Sequence, residues 1–187
     1  MMSDMKILSQ MIKDTALVPL LNEYGKLLVK LCEPQAPDSS VTIRNLPADA
    51  IVIKVDAFNS PDAIFKGEKG ECKRADYIII STEKKCILYI EIKRTKHGWE
   101  QIVNQLKGAE CVVKYCQEIG KSFWNENSFL TGYKSRFISV GHTSLAKKKT
   151  RITRNAERHD TPELAMKVDW PNYLQFNQLA RDRKSVV

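Results

Sequence analysis

Residues 76–93 read DYIIISTEKKCILYIEIK. Two runs rich in β-branched and aromatic residues, Asp76–Ser81 and Cys86–Lys93, flank a short polar turn at Thr82–Lys85. That pattern predicts a β-hairpin. A carboxylate, Asp76, opens the first strand, and Glu91 and Lys93 close the second. Side chains alternate faces along a strand, so Glu91 and Lys93 share one face and Ile92 points to the other. A tight turn sets Ile78 across from Glu91 and Asp76 across from Lys93. Asp76 and Glu91 are then diagonal neighbours within side-chain reach. The arrangement depends on register, because a one-residue slip would send one carboxylate to the opposite face.

Working outward, residues 5–32 read as helical. Leu17, Leu20, Leu21, Tyr24, Leu27, Leu28 and Leu31 recur at the three-and-four spacing of one helical face, with Pro19 in a first turn. The loop EPQAPDSS follows at 33–40, then strand-like VTIRNL (41–46) and AIVIKVDAF (50–58). Past the hairpin and the break at 96–98, an apolar stripe from Trp99 to Ile119 predicts a long helix that Gly120 would cap. RFISV (136–140) and AMKVDW (165–170) read as strands, and Pro171–Arg181 as a closing helix. The expected fold is α/β (α+β): one domain over 1–187 with a mixed sheet flanked by helices. Its core spans about residues 15–140, and 141–187 form a basic loop and C-terminal extension.

At 187 residues the chain can bury a full-sized core. Its composition, 43% hydrophobic and 28% charged, is that of a globular protein. No run approaches the length of a membrane span, and the opening MMSDMKILSQMIKD lacks a signal peptide's apolar core. The expectation is a cytoplasmic or nucleoid-associated protein, not secreted and without a membrane partner. Five cysteines without a CxxC pair argue against a disulfide framework. The histidines form no cluster with cysteine that would suggest zinc. GxxxxGK[ST] and GxSxG are both absent, so neither a P-loop nor a nucleophile elbow is supported.

The formal net charge is +8. From Asn127 to Ala156 there is no Asp or Glu, but there are Lys134, Arg136, Lys147, Lys148, Lys149, Arg151 and Arg154. A block of one sign is either a solvated loop or a surface for a polyanion.

Asp76 and Glu91 side by side repel and need a compensating charge. Two arrangements supply it. One is a structural ion pair with Lys93. The other is a divalent cation such as Mg²⁺, held by the two carboxylates, with the Ile92 carbonyl as a further oxygen ligand. A bound cation would acidify a water and offset charge on a phosphoryl oxygen, with Lys93 beside it.

An aspartate, then strand–turn–strand, then Glu91-Ile92-Lys93 and a helix resembles the core of the PD-(D/E)xK nuclease superfamily, whose fold is restriction-endonuclease-like. The order helix, strands, helix, strand over about residues 15–140 agrees with that core. Ala75 departs from the motif, which has proline before the aspartate. Pro61-Asp62 matches it literally but lies in turn-like sequence, and Asp56 ends the preceding strand; Asp76 is preferred because it opens an apolar strand. The resemblance implies metal-dependent hydrolysis of phosphodiester bonds, most often in DNA, with RNA not excluded. It makes Asp76 and Glu91 ligands of Mg²⁺ (or Mn²⁺) and Lys93 the catalytic lysine. Glu23, on the expected first helix, matches the extra acidic residue that many members place beside the site, as a further metal ligand. Gln105, or else Gln101, matches a glutamine on the helix after the strand. Lys73, Arg74 and Lys96 flank the site and, with Lys147, Lys148, Lys149, Arg151 and Arg154, are candidate phosphate contacts. One active site per chain makes a homodimer the simplest way to cut both strands. The competing reading is a nucleic-acid-binding module on the same fold that does not cut.

Overall fold

The computed structural model describes residues 2–33, 36–94, 98–141, 150–153, 158–169, 171 and 173–181. Helix α1 (Asp4–Met11) starts at Ser3, whose hydroxyl accepts from the Lys6 N–H, and buries Ile7 and Leu8. Strands β1 (Leu21–Glu23), β2 (Lys26–Glu33), β3 (Ala36–Arg44) and β4 (Ile51–Lys54) follow. The hairpin is β5 (Tyr77–Ser81) and β6 (Cys86–Lys93), succeeded by α2 (Trp99–Trp124) and β7 (Lys134–Gly141). The chain ends with β8 (Arg151–Thr153), β9 (Met166–Asp169), β10 (Tyr173–Gln175) and α3 (Phe176–Ala180).

The architecture is α+β, with two mixed sheets rather than the single one expected. The larger has the order β4-β5-β6-β7-β9-β8 and the smaller β1-β2-β3-β10. β4, β5 and β6 run antiparallel in succession, whereas β7 lies parallel to β6. Parallel neighbours need a crossover, and α2 provides it. Because β5 and β6 are buried on both faces, they are apolar at nearly every position. Alternation then splits them between two cores. Ile78, Ile80, Ile87 and Tyr89 pack with Leu106, Ala109 and Val113 of α2. Tyr77, Ile79, Leu88 and Ile90 pack with Val29, Leu31, Val41 and Ile43 of the small sheet. Each such side chain withdrawn from water stabilises the fold by about 1.5–3 kcal/mol.

The long helix expected over 5–32 is not there. Only 4–11 is helical, and the leucine-rich remainder forms β1 and β2. Tyr24 (φ 51°) and Gly25 (φ 77°) connect them, with Glu23 paired to Lys26. Two consecutive positive φ values make the tight two-residue turn that suits the twist of a hairpin. The closing segment is likewise a strand first: β10 pairs parallel with β3 before α3 begins. Gly120 does not end α2. It is buried against the Phe129 ring, and the helix runs on to Trp124 and a left-handed Asn125.

Gly108 shows what sets the helix-to-sheet distance. A Cβ there would lie 1.6 Å from the Lys73 carbonyl oxygen and 3.1 Å from the Arg74 Cα. Backbone cannot yield as a flexible side chain can, so Gly108→Ala must push α2 off the 73–76 segment. The expected loss is about 2 kcal/mol, overpacking outweighing the roughly 1 kcal/mol that alanine adds to a helix. Urea melts beside Gly98→Ala, where nothing lies within 4 Å, test this; equal midpoints would refute the contact.

Candidate active site

The hairpin register differs from the expected one by a step of two. Ile78 faces Tyr89, Tyr77 faces Ile90 and Ser81 faces Cys86. A two-residue step preserves faces, so Asp76 and Glu91 still share a side; continuing the ladder makes them directly opposite rather than diagonal. Asp76 Oδ2 accepts the Ile92 N–H at 2.8 Å, locking the carboxylate across the hairpin's open end. Glu91 lies on the Tyr89 face, toward α2, and is fully buried. Lys93, on the same face, pairs its Nζ with Glu91 Oε1. Ile92 meets the site through its N–H.

Beside them lies a cavity of about 340 Å³ whose wall includes Glu33, Asp56, Asp76, Lys93, Gln101 and Gln105. α2 supplies the two glutamines from its first turns. Glu33 ends β2, held near the start of β5 by the Tyr77 hydroxyl. That hydroxyl donates to the Cys32 carbonyl at 2.6 Å and accepts the Cys32 N–H at 3.2 Å. Asp56 sits in a single 3-10 turn over 55–57, clasped by Asp76, whose carbonyl accepts the Val55 N–H, and by Arg74.

Oxygen is in excess here. Glu33 Oε2, Asp56 Oδ1, Glu91 Oε2 and Gln105 Oε1 are all buried without a hydrogen-bond donor among the described residues. Burial, and then the Asp76 charge, push the Glu91 carboxyl well above its usual range; Lys93 pulls the other way and loses. Burial also raises Asp76, against the Ile92 N–H and Lys93, while Asp56 and Glu33 push it further up. Burial alone would lower Lys93, but Glu91, Asp76 and Glu33 hold it raised and charged. The wall carries three acids, Glu33, Asp56 and Asp76, against Lys73, Arg74 and Lys93, with Glu91 paired to Lys93 behind it and Lys54 3.5 Å from the second Asp56 oxygen.

Two acids found here were not assigned to the site from sequence. Glu33 was read as loop; Asp56 was considered only as a rival to Asp76, and it stands beside it. Glu23 is a correction: it lies on β1, half-exposed, 3.8 Å from Arg44 and on a different cavity. Asp62 is in an exposed 3-10 turn. Arg74 lines the pocket, but its guanidinium donates to the Val55 and Phe58 carbonyls, so its role is structural. Lys73 is exposed at the pocket wall. Lys96, Lys147, Lys148, Lys149 and Arg154 lie outside the described residues. Arg151 is exposed on β8, and register places it in the transverse row Lys93–Gly141–Asp169–Arg151, at the end of the sheet that carries Glu91 and Lys93. His159 is buried and donates from Nε2 to the Leu179 carbonyl at 2.7 Å, tying α3 down. Among the described residues no helix is long and apolar enough to cross a membrane.

The chain matches no protein-family model, no curated protein and no solved structure.

Proposed function

We propose that the protein is a divalent-metal-dependent nuclease that hydrolyses phosphodiester bonds, with DNA as the first-choice substrate. The observation that carries this is the set of buried oxygens without a hydrogen-bond donor on Glu33, Asp56 and Gln105, which line one cavity, and on Glu91, which pairs with Lys93 of its wall. An unpaired buried acceptor costs about 1–3 kcal/mol, and four in or beside one cavity call for a cation. Hard oxygen donors of this kind suit Mg²⁺ or Mn²⁺, which typically take one or two protein carboxylates and complete their shell with water and substrate phosphate. Asp76 and Glu91 would hold the ion, with Glu33 or Asp56 adding a carboxylate and the Ile92 carbonyl a neutral oxygen. When bound, the cation acidifies a water and offsets phosphoryl charge.

The chain's own groups have separable tasks. The Ile92 N–H fixes the direction of Asp76. Lys93 keeps its charge beside the carboxylates, where it orients the attacking water and balances charge developing on phosphate. The Gln101 and Gln105 amides can donate to water or phosphate, and Lys73 and Arg151 offer cations to the flanking backbone. The order antiparallel β4-β5-β6, α2, parallel β7 is consistent with the PD-(D/E)xK resemblance.

One observation favours the non-cutting alternative. Lys93 already pairs with Glu91, and among the described residues no three His, Cys, Asp or Glu side chains form a ready metal cage. The discriminating experiment is cleavage of linear, circular, single-stranded and branched DNA with Mg²⁺, Mn²⁺ or EDTA, wild type beside Asp76→Asn. Cutting that needs metal and falls by about a thousandfold in the variant is expected. Salt-sensitive binding without cutting of any substrate would establish the binding module instead.

A further inference from the structure

The smaller sheet turns one side to the core, where Val29, Leu31, Val41, Ile43 and Leu174 are buried. Alternation sends their neighbours to the other side. Register lines these up in two rows, Leu21–Leu28–Arg44–Gln175 and Lys30–Thr42–Tyr173. A solvated outer face is ordinary for a sheet, but this one carries aromatic rings beside cations. Tyr173 is 53% exposed, and Tyr24, at the β1–β2 turn, is wholly so. Both tyrosines stand in the wall of one cavity of about 360 Å³, with Lys26, Arg44, Asn45 and Gln175. Register sets Arg44 one row nearer the turn than Tyr173, and its guanidinium lies over the Tyr173 ring, 5.0 Å from the centroid. The Asn45 amide donates to Gln175 Oε1, which leaves a carbonyl oxygen on one amide and N–H donors on the other. Lys30 is exposed, two strands from Tyr173 in the same row. Against these cations the wall has one acid, Glu23, 3.8 Å from Arg44.

We infer that this face is a separate binding site for single-stranded nucleic acid, with bases stacked on Tyr173 and Tyr24 and the phosphates between them on Arg44, Lys26 and Lys30. Two chemistries share the surface, and the ligand has to use both. An acidic peptide would meet the cations and leave the rings idle. A neutral sugar would meet the rings and leave the cations idle. A nucleotide strand engages both, because bases stack on aromatic rings and guanidinium planes while phosphates pair with the cations alongside. The Asn45 and Gln175 amides offer an acceptor and a donor to a base edge. The exposed Arg44–Glu23 pair is of a kind worth little in water, so a phosphate displaces it. A duplex keeps its bases stacked inside and presents only its phosphates, so the rings select single strands. Strand β2 links this face to the candidate active cavity: Glu33 is three residues beyond Lys30, about 10 Å along the strand. The site stands whether or not the chain cuts nucleic acid.

Fluorescence anisotropy with a labelled thymidine strand of about twelve nucleotides, and with a duplex of the same length, tests it. EDTA is present throughout, so that nothing is cut. Tyr173→Ala and Tyr24→Asn should each weaken single-strand binding by about tenfold and leave the duplex unchanged. Tyr173→Phe, which keeps the ring, should bind as wild type does. Asparagine is chosen at 24 because it tolerates the left-handed backbone there. Lys30→Ala should lower the salt slope of single-strand binding by about 0.7, and Glu23→Gln should tighten it by about threefold. Tyr115→Ala, at an exposed tyrosine of α2, should change nothing. The substituted side chains are all exposed, so each variant should keep the wild-type circular dichroism spectrum and urea midpoint. Single-strand affinity indifferent to both tyrosine substitutions overturns the inference, as does no single-strand binding at about 50 mM salt. An equal loss for strand and duplex also overturns it, since the face would then be a cation surface without stacking. Asp76→Asn should bind the strand as wild type does, so a failure to cut and a failure of this site are read separately.

Discussion

Glu91→Gln is expected to make the metal-free protein more stable at about pH 8 while removing the metal-dependent activity proposed for it. The reasoning starts from burial. Glu91 is fully buried beside Asp76, and its carboxyl binds a proton more tightly in the folded protein than in the unfolded chain, where the ordinary value is 4.5. A raised folded pKa contributes stability that is complete below the ordinary value and is lost as pH rises through the raised one. The wild type therefore loses stability across that window, and glutamine, which has no proton to lose, does not. The variant's advantage should be near zero at about pH 4 and reach on the order of 2 kcal/mol or more at about pH 8. Lys93 stays within the electrostatic reach of Asp76 and Glu33 in the variant, so its charge is not left without an acid nearby. Mg²⁺ should stabilise the wild type, as a ligand of the folded state does, and leave Glu91→Gln unmoved. Urea melts at three pH values, with and without Mg²⁺, give all of this. A variant less stable than wild type throughout would mean that Glu91 is an ordinary structural carboxylate.

The hairpin was legible in the sequence because alternation is a strong constraint. With apolar residues on both faces and acids only at the open end, any register that kept the faces correct brought Asp76 and Glu91 together. The absolute register was not legible, since the pattern is nearly unchanged by a step of two. The segment Leu17–Leu31 was misread because leucines at three-and-four spacing satisfy a helix, while Leu27-Leu28-Val29 satisfies a strand as well. What decided between them was the turn at Tyr24-Gly25, which takes two positive φ values. A lone glycine after an aromatic residue is a faint signal of that.

Losing the helix moved the site's third acid. Glu23 went to an exposed edge, and Glu33 arrived from β2. A signal for Glu33 did exist: Val29, Leu31 and Glu33 repeat the pattern of Ile87, Tyr89 and Glu91, an apolar face ending in a carboxylate. The proline-rich EPQAP that follows drew it into a loop reading. Gln105 was singled out through the resemblance alone; it lines the cavity because the border of a buried stripe is where a polar side chain can reach one.

Lys93→Met should act in the opposite direction to Glu91→Gln. The ammonium is largely buried and is the cation paired with Glu91. Removing it leaves two buried carboxyls with no compensating charge, a change that typically costs about 3–5 kcal/mol. At about pH 5 the raised carboxyls retain a proton, so the cost should shrink; at about pH 8 it should be near its full size. The proposed nuclease activity should fall by at least about a hundredfold even at saturating metal, because the charge proposed to balance the phosphoryl oxygens is gone. Combining the substitutions gives the sharper result. Glu91→Gln/Lys93→Met removes the excess acid and the missing base together, so it should recover much of the stability lost by Lys93→Met alone. That is a non-additive cycle of at least about 1 kcal/mol. A balanced salt bridge held only for structure also predicts coupling, but there each single substitution strands a charge and each destabilises. An oxygen-rich site waiting for a metal predicts single variants of opposite sign. Two urea melts at about pH 8, one per single variant, therefore separate a metal site from a salt bridge before any substrate is known.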